Sequence, residues 1–248
     1  MLDYQAAPDL LRDRVILVTG AGDGIGAAAA EALAAHGATV VLLGRTIRKL
    51  EEVYDRIEQA GGPQPAIFPM NLEGAAPKDY DELSTKLHEA FGRLDGLLHN
   101  AANLGSLTPL HLYSLEMWPK VMQVNLNAPY LLTRACLPLL QASEDPSVVF
   151  TTADVARKGK AYWGAFAVSM AGTERLMEVF AEELEGEGIR CNSLDPGPVN
   201  TGLRQRAYPG EDPTELLQPA DVTPAHLYLL GPDSRGHSGE AFSAQGDS

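Results

Sequence analysis

Short apolar runs rich in β-branched residues alternate with longer stretches of helical periodicity from residue 14 almost to the end of the chain. RVILVTG (14–20) carries no polar residue from Val15 to Val18, so it predicts a strand buried on both faces rather than one with a wet side. AAAAEALAAHG (27–37) predicts a helix closed by glycine, and TVVLLG (39–44) a second strand. A charged amphipathic helix follows near 46–60, then a third strand, AIFPMN (66–71), weakened by Pro69 inside it. The alternation continues through a helix near 78–92, LDGLLHN (94–100), a helical region over 114–141, SVVFTT (147–152), a helix over 162–186 and IRCNSLDPG (189–197). A short helix near 221–230 and a strand at 240–243 close the pattern, and the tail GDS (246–248) reads as frayed. Continuous apolar strands separated by helices require a parallel sheet covered on both faces. The prediction is therefore an α/β chain with a Rossmann-type, doubly wound parallel sheet, folded as a single domain over 1–248.

Composition narrows the partners more than the fold. The chain is 45% apolar and 21% charged, as an ordinary globular protein is, and carries a formal net charge of −14. That charge speaks against broad binding to nucleic acid or to an anionic membrane surface, because the global field repels polyanions. No apolar run reaches the roughly 18 residues of a membrane span, and MLDYQAAPDLL lacks the cationic-then-apolar order of a secretory signal. Cys136 and Cys191 have no metal-ligand spacing and suit buried thiols in a reducing compartment. These features point to the cytoplasm, with no metal site, no nucleic-acid partner and no membrane span.

The first chemistry-bearing stretch is TGAGDGIG (19–26), set between a buried strand and a helix. Gly20 permits a tight turn, Gly24 lets backbone approach a ligand, and Gly26 lets helix and strand pack closely, with Ile25 between the last two. The helix N-terminus then offers free N–H groups and partial positive charge to a pyrophosphate. Folds that choose the unphosphorylated dinucleotide place an acidic residue at the end of the second strand. Here that place holds Gly44 and Arg45, and a guanidinium suits a 2′-phosphate, with Arg48 and Lys49 adding local positive charge. NADP(H) is favoured over NAD(H).

The spacing Gly-x-x-x-Gly-x-Gly resembles the short-chain dehydrogenase/reductase family, and other landmarks fall in order along the chain. His99-Asn100-Ala101-Ala102 is similar to the family's Asn-Asn-Ala-Gly motif with two departures, and Asn125 in VMQVNLNA matches the asparagine of its long helix. Pro196, Gly197 and Thr201 match the turn and threonine that touch the nicotinamide end in relatives. Asn71 and Leu72 stand where relatives carry an Asp near the adenine. DLLRDRVILVTGAGDGIG, RLDGLLHNA, RKGKAYWGAF and LLGPDSRGHSGEAFSAQ resemble in particular the bacterial YciK-like branch.

The resemblance implies a Tyr-x-x-x-Lys pair on the second long helix and a Ser 13 residues before the Tyr. The Tyr exchanges the substrate proton, the Lys holds the nicotinamide ribose and lowers the Tyr pKa, and the Ser orients the carbonyl. GAFAVSM (164–170) instead puts Phe166 at the Tyr position and Met170 at the Lys position, and the Ser position holds Ala153. Of the four-residue constellation Asn125 alone is retained. A positioned general acid contributes typically ~10²–10⁴ in rate, so the standard reaction is expected to be silent or strongly impaired.

Three readings are open. The chain binds NADP(H) without the usual redox chemistry and acts in binding or regulation. Alternatively, it is an active oxidoreductase on a small carbonyl or alcohol using a displaced group, of which Tyr162 is nearest, with Lys158, Lys160, Thr151, Thr152 and Asp154 around it. In the third reading it is an oligomeric scaffold without nucleotide. The resemblance also implies a homodimer or homotetramer through the two long helices, and 198–220 reads as a lid over the substrate cleft or as a plain connector.

Overall fold

The computed structural model describes residues 1–246; of the tail expected to fray, Asp247 and Ser248 lie outside the described residues. Seven parallel strands form one sheet in the order β3-β2-β1-β4-β5-β6-β7. They are β1 (Val15–Thr19), β2 (Thr39–Gly44), β3 (Ala66–Pro69), β4 (Gly96–His99), β5 (Ser147–Thr151), β6 (Arg190–Asp195) and β7 (Ala241–Ser243). The helices are α1 (Gly24–Ala35), α2 (Ile47–Gln59), α3 (Pro77–Phe91), α4 (Met117–Met122), α5 (Ala128–Gln141), α6 (Gly164–Leu184), α7 (Gly202–Ala207) and α8 (Thr223–Leu230). This is the doubly wound arrangement that the strand pattern predicts.

The absence of polar alternation in the strands has a direct cause. Ile16, Val18, Val40 and Leu42 point to the face covered by α1, α2 and α8, while Val15, Leu17, Val41 and Leu43 point to the face covered by α3, α5 and α6. Successive side chains leave a strand on opposite faces, and here both faces are core. Pro69 causes no conflict, because β3 is the edge strand and Pro69 its last residue. Among the described residues no helix is long and apolar enough to cross a membrane.

Two boundaries differ from the periodicity in ways that matter for the site. The region expected as one helix over 114–141 begins at Met117 and is interrupted by a π-helical turn, Gln123–Asn127, that contains Asn125. The helix expected over 162–186 begins at Gly164, because Tyr162 adopts a left-handed backbone (φ 75°) and its carbonyl accepts the Thr108 N–H at 3.1 Å. The segment 198–220 folds into α7, a 3₁₀ turn at Pro213–Glu215 and a bridge between Val199 and Leu217.

Two imidazoles sit inside this fold uncharged. Burial drives His99 down to about 3, with its Nε2 2.8 Å from Thr133 Oγ1, and drives His226 down to about 4, with Nδ1 3.1 Å from the Val222 carbonyl. Both folded values lie below the unfolded one, so their stabilising contribution is complete above about pH 6.5 and is lost as pH falls below it. The unfolding free energy should drop by up to about 1.4 kcal/mol per pH unit for each imidazole between pH 6.5 and 4.5. Denaturant titrations across that window test this: His226→Gln should reduce the slope, and an equal slope in that variant contradicts it.

Candidate functional site

The order of the sheet reverses between β1 and β4, and a crevice must open there beyond the carboxyl ends of the strands. A cleft of about 1350 Å³ occupies that place. Its floor is built from the residues just past each central strand: the glycine turn after β1, Gly44 and Arg45 at the end of β2, Asn100 after β4, Thr151 to Asp154 at the end of β5 and Asp195 to Gly197 at the end of β6.

The glycine turn has the geometry its sequence demands. Gly20 and Gly24 have φ of +68° and +52°, which a side chain would strain. Gly26 has no room for a methyl group, since a Cβ would lie 2.3 Å from the Gly20 carbonyl oxygen. Gly20, Gly24 and Ile25 line the cleft, and Gly26 makes the close helix–strand contact beside it. Asp23 caps α1 by accepting the Gly24 N–H at 2.8 Å and forms an ion pair with Lys49 that holds its carboxyl below the usual range.

At the far end of the cleft Arg45 is exposed and makes no ion pair or side-chain hydrogen bond among the described residues. The expected basic cluster around it is smaller than the sequence suggests. Arg48 lies outside the cleft, paired with Glu52 one turn along α2 at 3.0 Å, and Lys49 is committed to Asp23. Asn71 and Leu72 line the cleft with Met70, and Asn71 Oδ1 accepts the Glu73 N–H at 3.2 Å.

At the other end Asn100, Pro196, Gly197 and Thr201 all line the cleft. Thr201 caps α7 by accepting the Arg204 N–H at 3.2 Å, and Asn100 is fixed to β1 through the Thr19 hydroxyl at 3.0 Å. Asn125 is buried and absent from the lining. Its Nδ2 donates to the Asn103 carbonyl (3.0 Å) and to Ser169 Oγ (2.9 Å), and its Oδ1 accepts the Asn103 N–H (2.7 Å). Ser169 Oγ in turn donates to the Phe166 carbonyl at 2.8 Å. Asn125 thus ties the strand-four loop to the helical turn that carries Phe166 and Met170.

Ala153, Phe166 and Met170 come together at one wall of the cleft, with Phe166 4% and Met170 3% exposed. Trp163 stacks edge-on to Phe166 at 5.7 Å, and the wall that Phe166 and Met170 present is apolar. Tyr162 does not join it. The left-handed turn ahead of α6 carries that side chain away from the cleft, where it is 58% exposed. The helical spacing that would set it one turn from position 166 is not realised. Lys160 is drawn off as well, donating to Tyr208 OH at 2.5 Å and lying over the Trp163 and Tyr208 rings.

Asp195 had no signal as a lining residue in the sequence, whereas Tyr208 lies in the segment read there as a lid or connector. Asp195 closes β6, accepts the Gly197 N–H at 2.8 Å, and has its carboxyl pushed upward by burial, with Asp154 and Glu174 adding to the effect. Tyr208 of the 198–220 segment packs over Trp163 at 5.6 Å. Seven of the chain's 19 Lys and Arg residues face the cleft against four of its 33 Asp and Glu residues. The cleft is therefore a basic depression in an acidic protein, suited to a polyanion of small size.

A family model for short chain dehydrogenases matches residues 14–212. The chain is 45% identical over 244 residues to "Uncharacterized oxidoreductase YciK" of Escherichia coli K12, covering 98% of this chain and 96% of that one. A structure of a short chain dehydrogenase from Pseudomonas syringae is 55% identical and superposes with a TM-score of 0.97, covering 99% of this chain and 100% of that one. A short chain dehydrogenase from Shigella flexneri 2a, solved in complex with NADP, is 44% identical with a TM-score of 0.95 over 97% of this chain and 100% of its own.

Proposed function

The chain belongs to the short-chain dehydrogenase family, and we propose that it binds NADP(H) while lacking the proton-transfer group of the family's usual reaction. One observation carries the reading: the same cleft combines an intact glycine turn and an uncommitted Arg45 with a wall of Ala153, Phe166 and Met170. The residues fit the dinucleotide. Gly20, Gly24 and Ile25 would receive the pyrophosphate at the start of α1, Arg45 the 2′-phosphate, Asn71 and Leu72 the adenine, and Asn100, Pro196, Gly197 and Thr201 the nicotinamide end. When bound, the cofactor supplies hydride. The NADP in the Shigella flexneri relative supports the choice of cofactor.

What this chain withholds is the proton. Phenylalanine has no hydroxyl, methionine no ammonium, and alanine no hydroxyl to orient a carbonyl, so hydride transfer to a ketone lacks the proton donor of the family's usual reaction. Asn125 serves architecture in this reading, since its side-chain hydrogen bonds end on Asn103 and Ser169. The protein then acts through binding, as a cofactor-dependent regulator in the cytoplasm, where its two buried thiols stay reduced. Tyr130, Val168 and Val179 lie exposed on α5 and α6, and pairing of these faces makes it a homodimer or homotetramer.

Calorimetric titration with NADPH and NADH tests the cofactor. NADPH should bind at least about tenfold more tightly than NADH, and Arg45→Ala should erase most of that preference by removing a charge-assisted contact. Equal affinities in the parent protein, or a preference untouched in the variant, overturn the assignment of Arg45.

A further inference from the structure

We propose that the substrate end of the cleft takes a ligand with an apolar ring or chain and one carboxylate. The proposal deepens the reading above, since it names the ligand class of the same cleft. The apolar requirement comes from the wall. Trp163, Phe166 and Met170 are all buried, and α7 covers them from above with Leu203 and Ala207. A hydroxyl or carbonyl pressed against Phe166 and Met170 gives up its hydrogen bonds to water and finds no donor on either side chain. An aromatic ring or acyl chain loses nothing there, and the unbranched Met170 side chain adapts to its shape.

The acidic group comes from the rim. Two segments bracket the wall, the stretch after β5 and α7, and each brings two cations into the cleft lining. Arg157 and Arg204 are neutralised, the first by Glu174 at 2.7 Å and the second by a two-point contact with Glu211 at 2.6 and 2.7 Å. Lys158 and Arg206 are not. Lys158 has no ion pair or side-chain hydrogen bond among the described residues, and Arg206 reaches only the Gly202 carbonyl at 3.4 Å. Asp154 and Asp195 also line the cleft, at the strand ends on its floor. Lys158 and Arg206 are left on the two bracketing segments without a carboxylate among the described residues, so a ligand with an apolar body on the wall meets these two cations with its anionic group. The rim is also held in place: Tyr208 lies against Trp163 with Lys160 on one side and Arg204 3.8 Å from its ring centroid.

Calorimetry with 3-phenylpropionate, 3-phenylpropan-1-ol and acetate, on protein with and without saturating NADPH, provides the test. At low salt 3-phenylpropionate should bind at least about tenfold more tightly than the alcohol, which lacks the charge, and than acetate, which lacks the ring. Lys158→Ala/Arg206→Ala, two exposed positions, should reduce the preference over the alcohol to within about threefold. Equal binding of acid and alcohol, or a preference unchanged in the double variant, overturns the proposal. NADPH binding without 3-phenylpropionate binding overturns this proposal alone. Absence of NADPH binding overturns the cofactor reading alone, and the titration of cofactor-free protein then decides the ligand class.

Discussion

The triple variant Ala153→Ser/Phe166→Tyr/Met170→Lys should reduce small ketones with NADPH at a rate at least ~10²-fold above the parent protein, whose own turnover stays near background. The geometry favours this gain. Phe166 and Met170 lie four residues apart on one face of α6, Ala153 lies at the carboxyl end of β5, and all three border the cleft that holds the glycine turn. A hydroxyl at 166 restores the proton donor, and an ammonium at 170 lowers its pKa. The three groups act as one unit, so each single variant should give far less than its share. Phe166→Tyr alone places a phenol against an apolar Met170 and leaves it with an ordinary or raised pKa. The comparison is a steady-state assay on a broad carbonyl panel, with NADPH binding measured on every variant. A parent protein that turns over as fast as the triple variant sinks the reading of a silent site.

Asp145→Ala should lower the unfolding free energy by about 3–5 kcal/mol, the range for removing one partner of a buried ion pair. Asp145 sits at the opposite end of the sheet from the cleft and gathers three arginines. Its carboxylate accepts from Arg14 at 3.0 Å, from Arg235 at 3.2 Å and from Arg190. Burial alone would raise its pKa, but hydrogen bonds from Arg235, Arg190 and Arg14 hold it below the ordinary carboxylate range. The side chains of Asp145 and Arg190 are 12% and 8% exposed, so the alanine variant strands a guanidinium out of water. Arg14 keeps other acceptors, the backbone carbonyls of Asp95 and Asp145, whereas among the described residues Arg190 keeps that of Gly231 alone. Urea unfolding at pH 7 measures the change, and a loss below about 1 kcal/mol excludes the hub as a major support.

Neither effect could be read to the same depth from the chain alone. The proposed triad positions rest on local spacing: four residues along one helix and 13 back to a strand end. Asp145 stands in an undistinguished loop, QASEDPS, and its partners lie 131, 45 and 90 residues away. Tyr162 shows the limit from the other side. Helical spacing makes it a candidate acid, and a left-handed backbone in the turn before α6 carries it out to solvent.

By itself the sequence determined the layered α/β fold, since apolar strands without alternation can be satisfied only between two helical layers. It also determined the glycine turn, whose backbone angles and close contacts arise from the residues that lack a side chain. Those features are local, or repeat with a fixed period. The tertiary structure alone decided which charges are spent and which are left. Arg48 turns to Glu52, Lys49 to Asp23 and Arg157 to Glu174, while Arg45, Lys158 and Arg206 remain uncommitted to any carboxylate among the described residues. A charge is neutralised by whatever the folded chain brings within a few ångströms, and that distance is not written in residue order.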